Sequence, residues 1–158
     1  MPNQRTDDYG GVIEQRVRFP LEVIAAMRAE MPATMPLWVR VSAIDPEPGG
    51  QTIGDTIAFA MAAKSHGVDL IDCSAGGQTP RGWLKAKPGY QVKFAEAVKR
   101  GANVPTAAVG VITEAPQAEQ ILRANKADIV LVGRAMRDNA NWANDASGSL
   151  SRVPTGEG

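Results

Sequence analysis

At 158 residues, with 44% hydrophobic and 22% charged side chains, the chain has the composition of one globular domain rather than of a disordered segment. Seventeen basic residues balance seventeen acidic ones, which gives no whole-chain electrostatic reason to expect nucleic acid or a membrane surface and favours small-molecule chemistry. The single cysteine, Cys73, excludes an intramolecular disulfide, and no apolar stretch approaches the ~20 residues that cross a bilayer, so a reducing cytoplasm is the expected setting.

The first residues, Met1-Pro2-Asn3-Gln4-Arg5, are polar and are not followed by an apolar signal core. Over residues 12–31, Ile13, Val17, Ile24, Met27 and Met31 recur at helical spacing with Glu14, Arg18, Glu22 and Arg28 on the other side, which predicts an amphipathic helix. Pro20 removes a backbone donor and crowds the preceding turn, so a kink or break is expected near Phe19. Residues 37–43 read as a strand ended by the Pro/Gly cluster of 46–50, and a helix is expected over 52–66, stopped by Gly67. A second strand spans 68–74 and ends at Gly76-Gly77, and residues 78–89, with two prolines and three basic residues, read as a loop.

Helical spacing resumes over 90–100, followed by a strand at 104–109, a helix at 114–125 with Thr113 as its expected N-cap, a strand at 128–132 and a last helix from about Ala135. Residues 143–158, rich in Gly, Ser, Asn and Asp, are expected to be disordered. The order αβαβαβαβα with near-continuous apolar strands predicts a parallel sheet covered by helices, as in an open doubly wound sheet or part of a (β/α)8 barrel. A weak internal repeat sets Asp69 and Asp128 at the starts of strands just after helix stops, where a barrel keeps its stability positions.

Two strands run into glycine just before a helix, Thr106-Ala107-Ala108-Val109-Gly110 and Ile129-Val130-Leu131-Val132-Gly133-Arg134. Helix starts carry unpaired N–H groups and partial positive charge, and glycine admits an anion close to the backbone, so this pair predicts a phosphate cradle. Arg40 is a charged residue inside an apolar strand, costly unless it faces a ligand or solvent at the strand end. The other conspicuous residues have plainer explanations. His66 ends a helix, Cys73 is a buried small hydrophobe, Arg81, Lys85 and Lys87 form a solvated loop, and Tyr90 and Trp142 are packing anchors. The segment 3–11 is a turn whose Asp and Gly residues fix the approach to the first helix.

The motifs Asn3-Gln4-Arg5-Thr6-Asp7-Asp8-Tyr9-Gly10-Gly11, Val39-Arg40-Val41-Ser42, Asp69-Leu70-Ile71-Asp72-Cys73-Ser74-Ala75-Gly76-Gly77, Pro88-Gly89-Tyr90-Gln91-Val92 and Val132-Gly133-Arg134 with Arg137-Asp138 together resemble the old yellow enzyme family, and within it the bacterial NADPH dehydrogenase or ene-reductase branch. The resemblance spans nearly everything from Asn3 to Trp142. It implies an α/β fold, a partial (β/α)8 TIM barrel whose four parallel β/α units resemble strands 5 to 8, with residues 1–142 as the C-terminal half of an FMN-binding barrel. It further implies that Arg40 faces the pyrimidine edge of FMN, that Gly110, Val111, Gly133 and Arg134 hold its phosphate, and that Ser74 and Gly76 are weaker contacts at the neighbouring strand end. NAD(P)H is the implied reductant and an enone-type small molecule the implied acceptor.

In the family, the His/Asn pair that grips the substrate carbonyl, the tyrosine proton donor and the flavin-tuning cysteine precede the Arg5-Thr6-Asp7 motif, so no catalytic residue is expected within this sequence. Two functional expectations follow. The chain is the FMN-binding part of an ene-reductase, or a truncated, non-catalytic flavin-phosphate-binding or assembly half-barrel that self-associates or pairs with an N-terminal half. A third, another phosphate-binding barrel acting on a phosphorylated metabolite, fits Arg40 and the motif run less well.

Overall fold

Four parallel strands lie side by side in chain order, β1 (Trp38–Ser42), β2 (Leu70–Ser74), β3 (Thr106–Ala108) and β4 (Ile129–Val130), in a computed structural model that describes residues 3–76 and 85–151. Among the described residues seven helices precede, separate and follow them: α1 (Ile13–Arg16), α2 (Arg18–Glu30), α3 (Ile53–Ser65), α4 (Val92–Ala102), α5 (Ala115–Arg123), α6 (Arg134–Asp138) and α7 (Trp142–Leu150). Gly77 and residues 78–84, including Arg81 of the predicted loop, lie outside the described residues. Among the described residues no helix is long and apolar enough to cross a membrane.

Local chemistry sets most of the helix boundaries. The chain breaks at Val17 rather than at Phe19, which places Pro20 in the first turn of α2, where a missing N–H breaks no intrahelical bond. Thr52 caps α3 through a reciprocal pair of bonds with Asp55, and His66 closes it, its Nδ1 2.8 Å from the Ala62 carbonyl oxygen. Helix α4 ends on Asn103 in the left-handed region. The N-cap position of α5 is Glu114, not Thr113, whose backbone groups are bonded elsewhere, and Pro116 sits in the first turn.

The register decides which residues share a face. Arg40 lies opposite Asp72, Asp72 opposite Ala107, and Ala107 opposite Ile129. Because side chains alternate along a strand, Val39, Val41, Ile71, Cys73, Ala108 and Val130 point to the helix side, where they share one core with Ala60, Phe94, Val98 and Ile121. Trp38, Arg40, Ser42, Leu70, Asp72, Ser74, Ala107 and Ile129 fall on the other face. β1 and β4 are the two edge strands among the described residues, and beside β1 α2 exposes Phe19, Val23 and Met27 at i, i+4 and i+8, with Trp38 48% exposed on the strand itself.

The Asp69/Asp128 repeat has a defined structural role. Asp69 exchanges backbone bonds with Leu37 at the entry to β1, donating its N–H to the Leu37 carbonyl at 2.9 Å and accepting the Leu37 N–H on its carboxylate at 2.8 Å. Asp128 does the same with Thr106 at the entry to β3, at 2.9 and 2.9 Å, and also takes Lys99 at 2.9 Å. Each aspartate latches the start of the preceding strand.

The expected disordered tail is corrected over residues 143–150, which form most of α7. Its composition is a poor helix former, but Trp142 at its start is packed against the core and bonded to the Thr113 carbonyl, so tertiary contact overrides weak propensity. Residues 152–158 lie outside the described residues.

Candidate functional site

After β3 the backbone turns sharply through two left-handed residues, Gly110 at φ +118° and Val111 at φ +52°. A β-branched residue there is a conformational outlier costing about 1–3 kcal/mol, sustained only where surroundings over-determine it. The surroundings do. The Gly110 carbonyl accepts the Gly89 N–H at 2.8 Å, and the Tyr90 ring fills the space a Cβ at Gly110 would need, 3.1 Å away. The Gln117 side chain donates Nε2–H to the Val111 carbonyl at 3.1 Å and accepts the Thr113 N–H on Oε1 at 3.2 Å, while the Trp142 indole donates to the Thr113 carbonyl at 2.8 Å. The carbonyls of Gly110, Val111 and Thr113 are therefore occupied. Its N–H groups at Gly110 and Val111 have no acceptor among the described residues.

One strand over, Gly133 precedes α6 with φ −98°, so no positive φ requires a glycine there. A Cβ built there meets nothing within 4 Å. The open space above this backbone, and not its torsion, is what a side chain would fill. Arg134 follows, exposed and without an ion-pair partner among the described residues. A guanidinium unpaired among the described residues, one strand over from unclaimed backbone N–H groups, is suited to an anion with several acceptor oxygens.

Arg40 sits two residues before the end of β1, 3.1 Å from the Asp72 carboxylate on the neighbouring strand. Asp72 is nearly buried, its Oδ1 has no partner among the described residues, and burial pushes its carboxyl above the ordinary range, an effect the Arg40 cation offsets only in part. Arg40 itself is more than half exposed and lines a cavity of about 390 Å³ with Asn3, Arg16, Ser42, Gln51 and Asp55. That cavity includes both alternating faces of β1, so it runs along the strand's free edge, and none of Gly110, Val111, Gly133 or Arg134 lines it. The structure thus places Gly110–Val111 and Gly133–Arg134 on adjacent strand ends and sets Arg40 apart from them on the same sheet.

Ser74 is turned away from such a cradle, since its hydroxyl donates to the Val41 carbonyl at 3.0 Å. Gly76 has φ +93° and follows the Ala75 carbonyl, which accepts the buried Gln91 amide at 2.5 Å. Cys73 is fully buried, and burial followed by the Asp72 charge pushes its thiol up to about 12, so it is unreactive.

Against known proteins, residues 1–152 match the NADH:flavin oxidoreductase / NADH oxidase family. The chain belongs to that family. It is 45% identical over 150 residues to NADPH dehydrogenases of Bacillus cytotoxicus and of a Geobacillus species, covering 95% of this chain but 42% and 43% of theirs. The chain thus spans less than half the length of these curated relatives. Its fold superposes on a 2-naphthoyl-CoA reductase (TM-score 0.80, 26% identity, 92% of this chain and 23% of that one). It also superposes on a histamine dehydrogenase from Rhizobium (TM-score 0.78, 22% identity, 93% and 22%), a likeness of fold alone. The four strands and their helices therefore correspond to part of a TIM-barrel oxidoreductase.

This old yellow enzyme family uses FMN and NAD(P)H, and the residues present fit the phosphate end of that cofactor. Unclaimed N–H groups at Gly110 and Val111, open space at Gly133 and the unpaired Arg134 are the donor set a phosphate monoester requires. Sequence reasoning passed over two residues that the structure brings to prominence. Asp72 carried the same signal as Arg40, a charge inside an apolar strand. Gln117 carried none, because its partners are fixed only by the tertiary path of the turn.

Proposed function

We propose that this chain is the FMN-binding part of an NADPH:flavin oxidoreductase of the ene-reductase type, with β1 to β4 serving as strands 5 to 8 of the barrel and residues 1–142 as its C-terminal half. Bound here, FMN would supply hydride chemistry between NAD(P)H and the activated C=C bond of a small enone-type acceptor, with a proton completing the reduction. The chain's own residues bind and orient. Gly110 and Val111 offer N–H groups to the phosphate, Arg134 offers its guanidinium beside the open backbone of Gly133, and Gly76 is a weaker contact at the neighbouring strand end, where the Ser74 hydroxyl is already bonded to the Val41 carbonyl. Arg40 supplies a permanent cation toward the flavin's pyrimidine edge, where negative charge develops on reduction. A cytoplasmic setting suits a nicotinamide-dependent reaction.

The observation that carries this reading is the turn at 110–113, where the Gly110, Val111 and Thr113 carbonyls are occupied and the first two N–H groups are unclaimed, with Arg134, unpaired among the described residues, following the adjacent strand. Mixing the purified 158-residue chain with the N-terminal segment of a bacterial NADPH dehydrogenase should yield a yellow complex that oxidises NADPH. No flavin retained by the chain alone or by the mixture removes the cofactor assignment, and turnover by the chain alone removes the need for a second segment.

A second reading, a non-catalytic flavin-phosphate-binding or assembly half-barrel, is favoured by the free edge of β1 and the exposed Phe19, Val23, Met27 and Trp38 beside it. It predicts a dimeric mass for the chain alone and flavin binding without NADPH oxidation in either sample.

A further inference from the structure

We infer that Gln117 is a positioning residue for the phosphate cradle, holding Val111 in its left-handed conformation so that the N–H groups of Gly110 and Val111 face the anion, with Trp142 as its second support. The inference rests on the phosphate reading above. Gln117 reaches back from the first turn of α5 and brackets Ile112, bonding the carbonyl before it and the N–H after it. A side-chain amide can do this because it carries a donor and an acceptor in one fixed plane. Reversing that amide would set oxygen against oxygen at Val111, so the bonding pattern fixes its orientation.

Neither leucine nor glutamate can replace it. Leucine offers no polar atom, and a glutamate has no donor for the Val111 carbonyl and adds a negative charge beside a site for anions. Without the bracket, nothing bonds the Val111 carbonyl among the described residues, and a β-branched residue at φ +52° relaxes to negative φ. That relaxation rotates the adjoining peptide planes and turns the N–H groups away from the phosphate. Trp142 acts on the same turn from the other side, anchoring the Thr113 carbonyl from the start of α7.

The test compares FMN with riboflavin, which has the same ring system and no phosphate, by titrating the mixture of chain and N-terminal segment described above. Gln117→Leu should weaken FMN about tenfold while leaving riboflavin within about twofold of wild type. Trp142→Phe, which keeps the packed ring and removes the indole donor, should show a smaller loss of the same kind. Adding Val111→Gly to Gln117→Leu should restore most of the preference for FMN, because glycine adopts positive φ unaided. Equal losses for both flavins, no loss, or no rescue by Val111→Gly would overturn the positioning role. A wild-type mixture that binds both flavins equally would instead overturn the phosphate reading, and the inference with it.

Discussion

The two ends of this sheet are built from the same β/α units and are treated oppositely. At the ends where strands begin, Asp69 and Asp128 each close a reciprocal pair of bonds with the preceding strand, and Arg28 and Lys99 lie within 3.6 and 2.9 Å of these carboxylates. Where strands finish, Val111 is held in a strained conformation, the Gly110 and Val111 N–H groups have no partner among the described residues, and Arg134 has no counter-ion there. Such an imbalance is what a barrel shows when one rim serves folding and the other binding. The difference teaches that polar satisfaction marks out the ends of β3 and β4, since the ends of β1 and β2 are bonded through Ala43, Thr56 and Ser74.

The sharpest way to break the comparison is Gly110→Ala. A Cβ there lies 3.1 Å from the Tyr90 ring on a backbone at φ +118°, so the variant should lose about 2–3 kcal/mol in denaturant unfolding. A neutral result would mean that the turn is not held rigidly. Next in size, Asp128→Ala should cost about 1–2 kcal/mol, because the Thr106 N–H and Lys99 lose a charged acceptor. A loss under about 0.5 kcal/mol, the level of an ordinary surface change, would deny the latch its stabilising role.

A smaller effect sharpens the contrast through pH. Burial raises the Asp128 pKa, but the Thr106 N–H and Lys99 outweigh it and hold the folded value below 3.8. Its stabilisation is therefore fully present above that unfolded value and is lost as pH falls through the lowered folded one. Asp72 runs the other way. Burial raises its folded pKa above 3.8, so its contribution is fully present below that value and declines as pH rises through the folded one. Unfolding curves across this acid range should show Asp128→Asn flattening the acid loss and Asp72→Asn removing the decline on the rising side; identical pH profiles for the two variants would erase the distinction.

The alternation of apolar strands with helical periods made the α/β order legible, and the glycines that follow two of the strands placed Gly110 and Gly133 just beyond β3 and β4, because both signals are local. The residues that complete the turn were not legible. Gln117 lies in an amphipathic helix like any exposed glutamine until α5 is folded back over residues 111–113, and Trp142 read as a packing anchor because nothing in its neighbours announces a partner 29 residues earlier. Residues 143–150 misled for the same reason, since their composition describes an isolated segment and α7 is stabilised by what Trp142 touches.

The smallest change in stability belongs to Gly133→Ala, and it is the most discriminating. The backbone there has φ −98° and a Cβ meets nothing within 4 Å, so alanine should leave unfolding within about 0.5 kcal/mol of wild type and gain slightly from reduced freedom in the unfolded chain. If the open space belongs to a phosphate, the same methyl group should weaken FMN and spare riboflavin. A residue that folding tolerates and ligand binding does not is one whose glycine was kept for the ligand. If Gly133→Ala instead destabilises the fold as much as Gly110→Ala, the two rims are not divided in the way proposed.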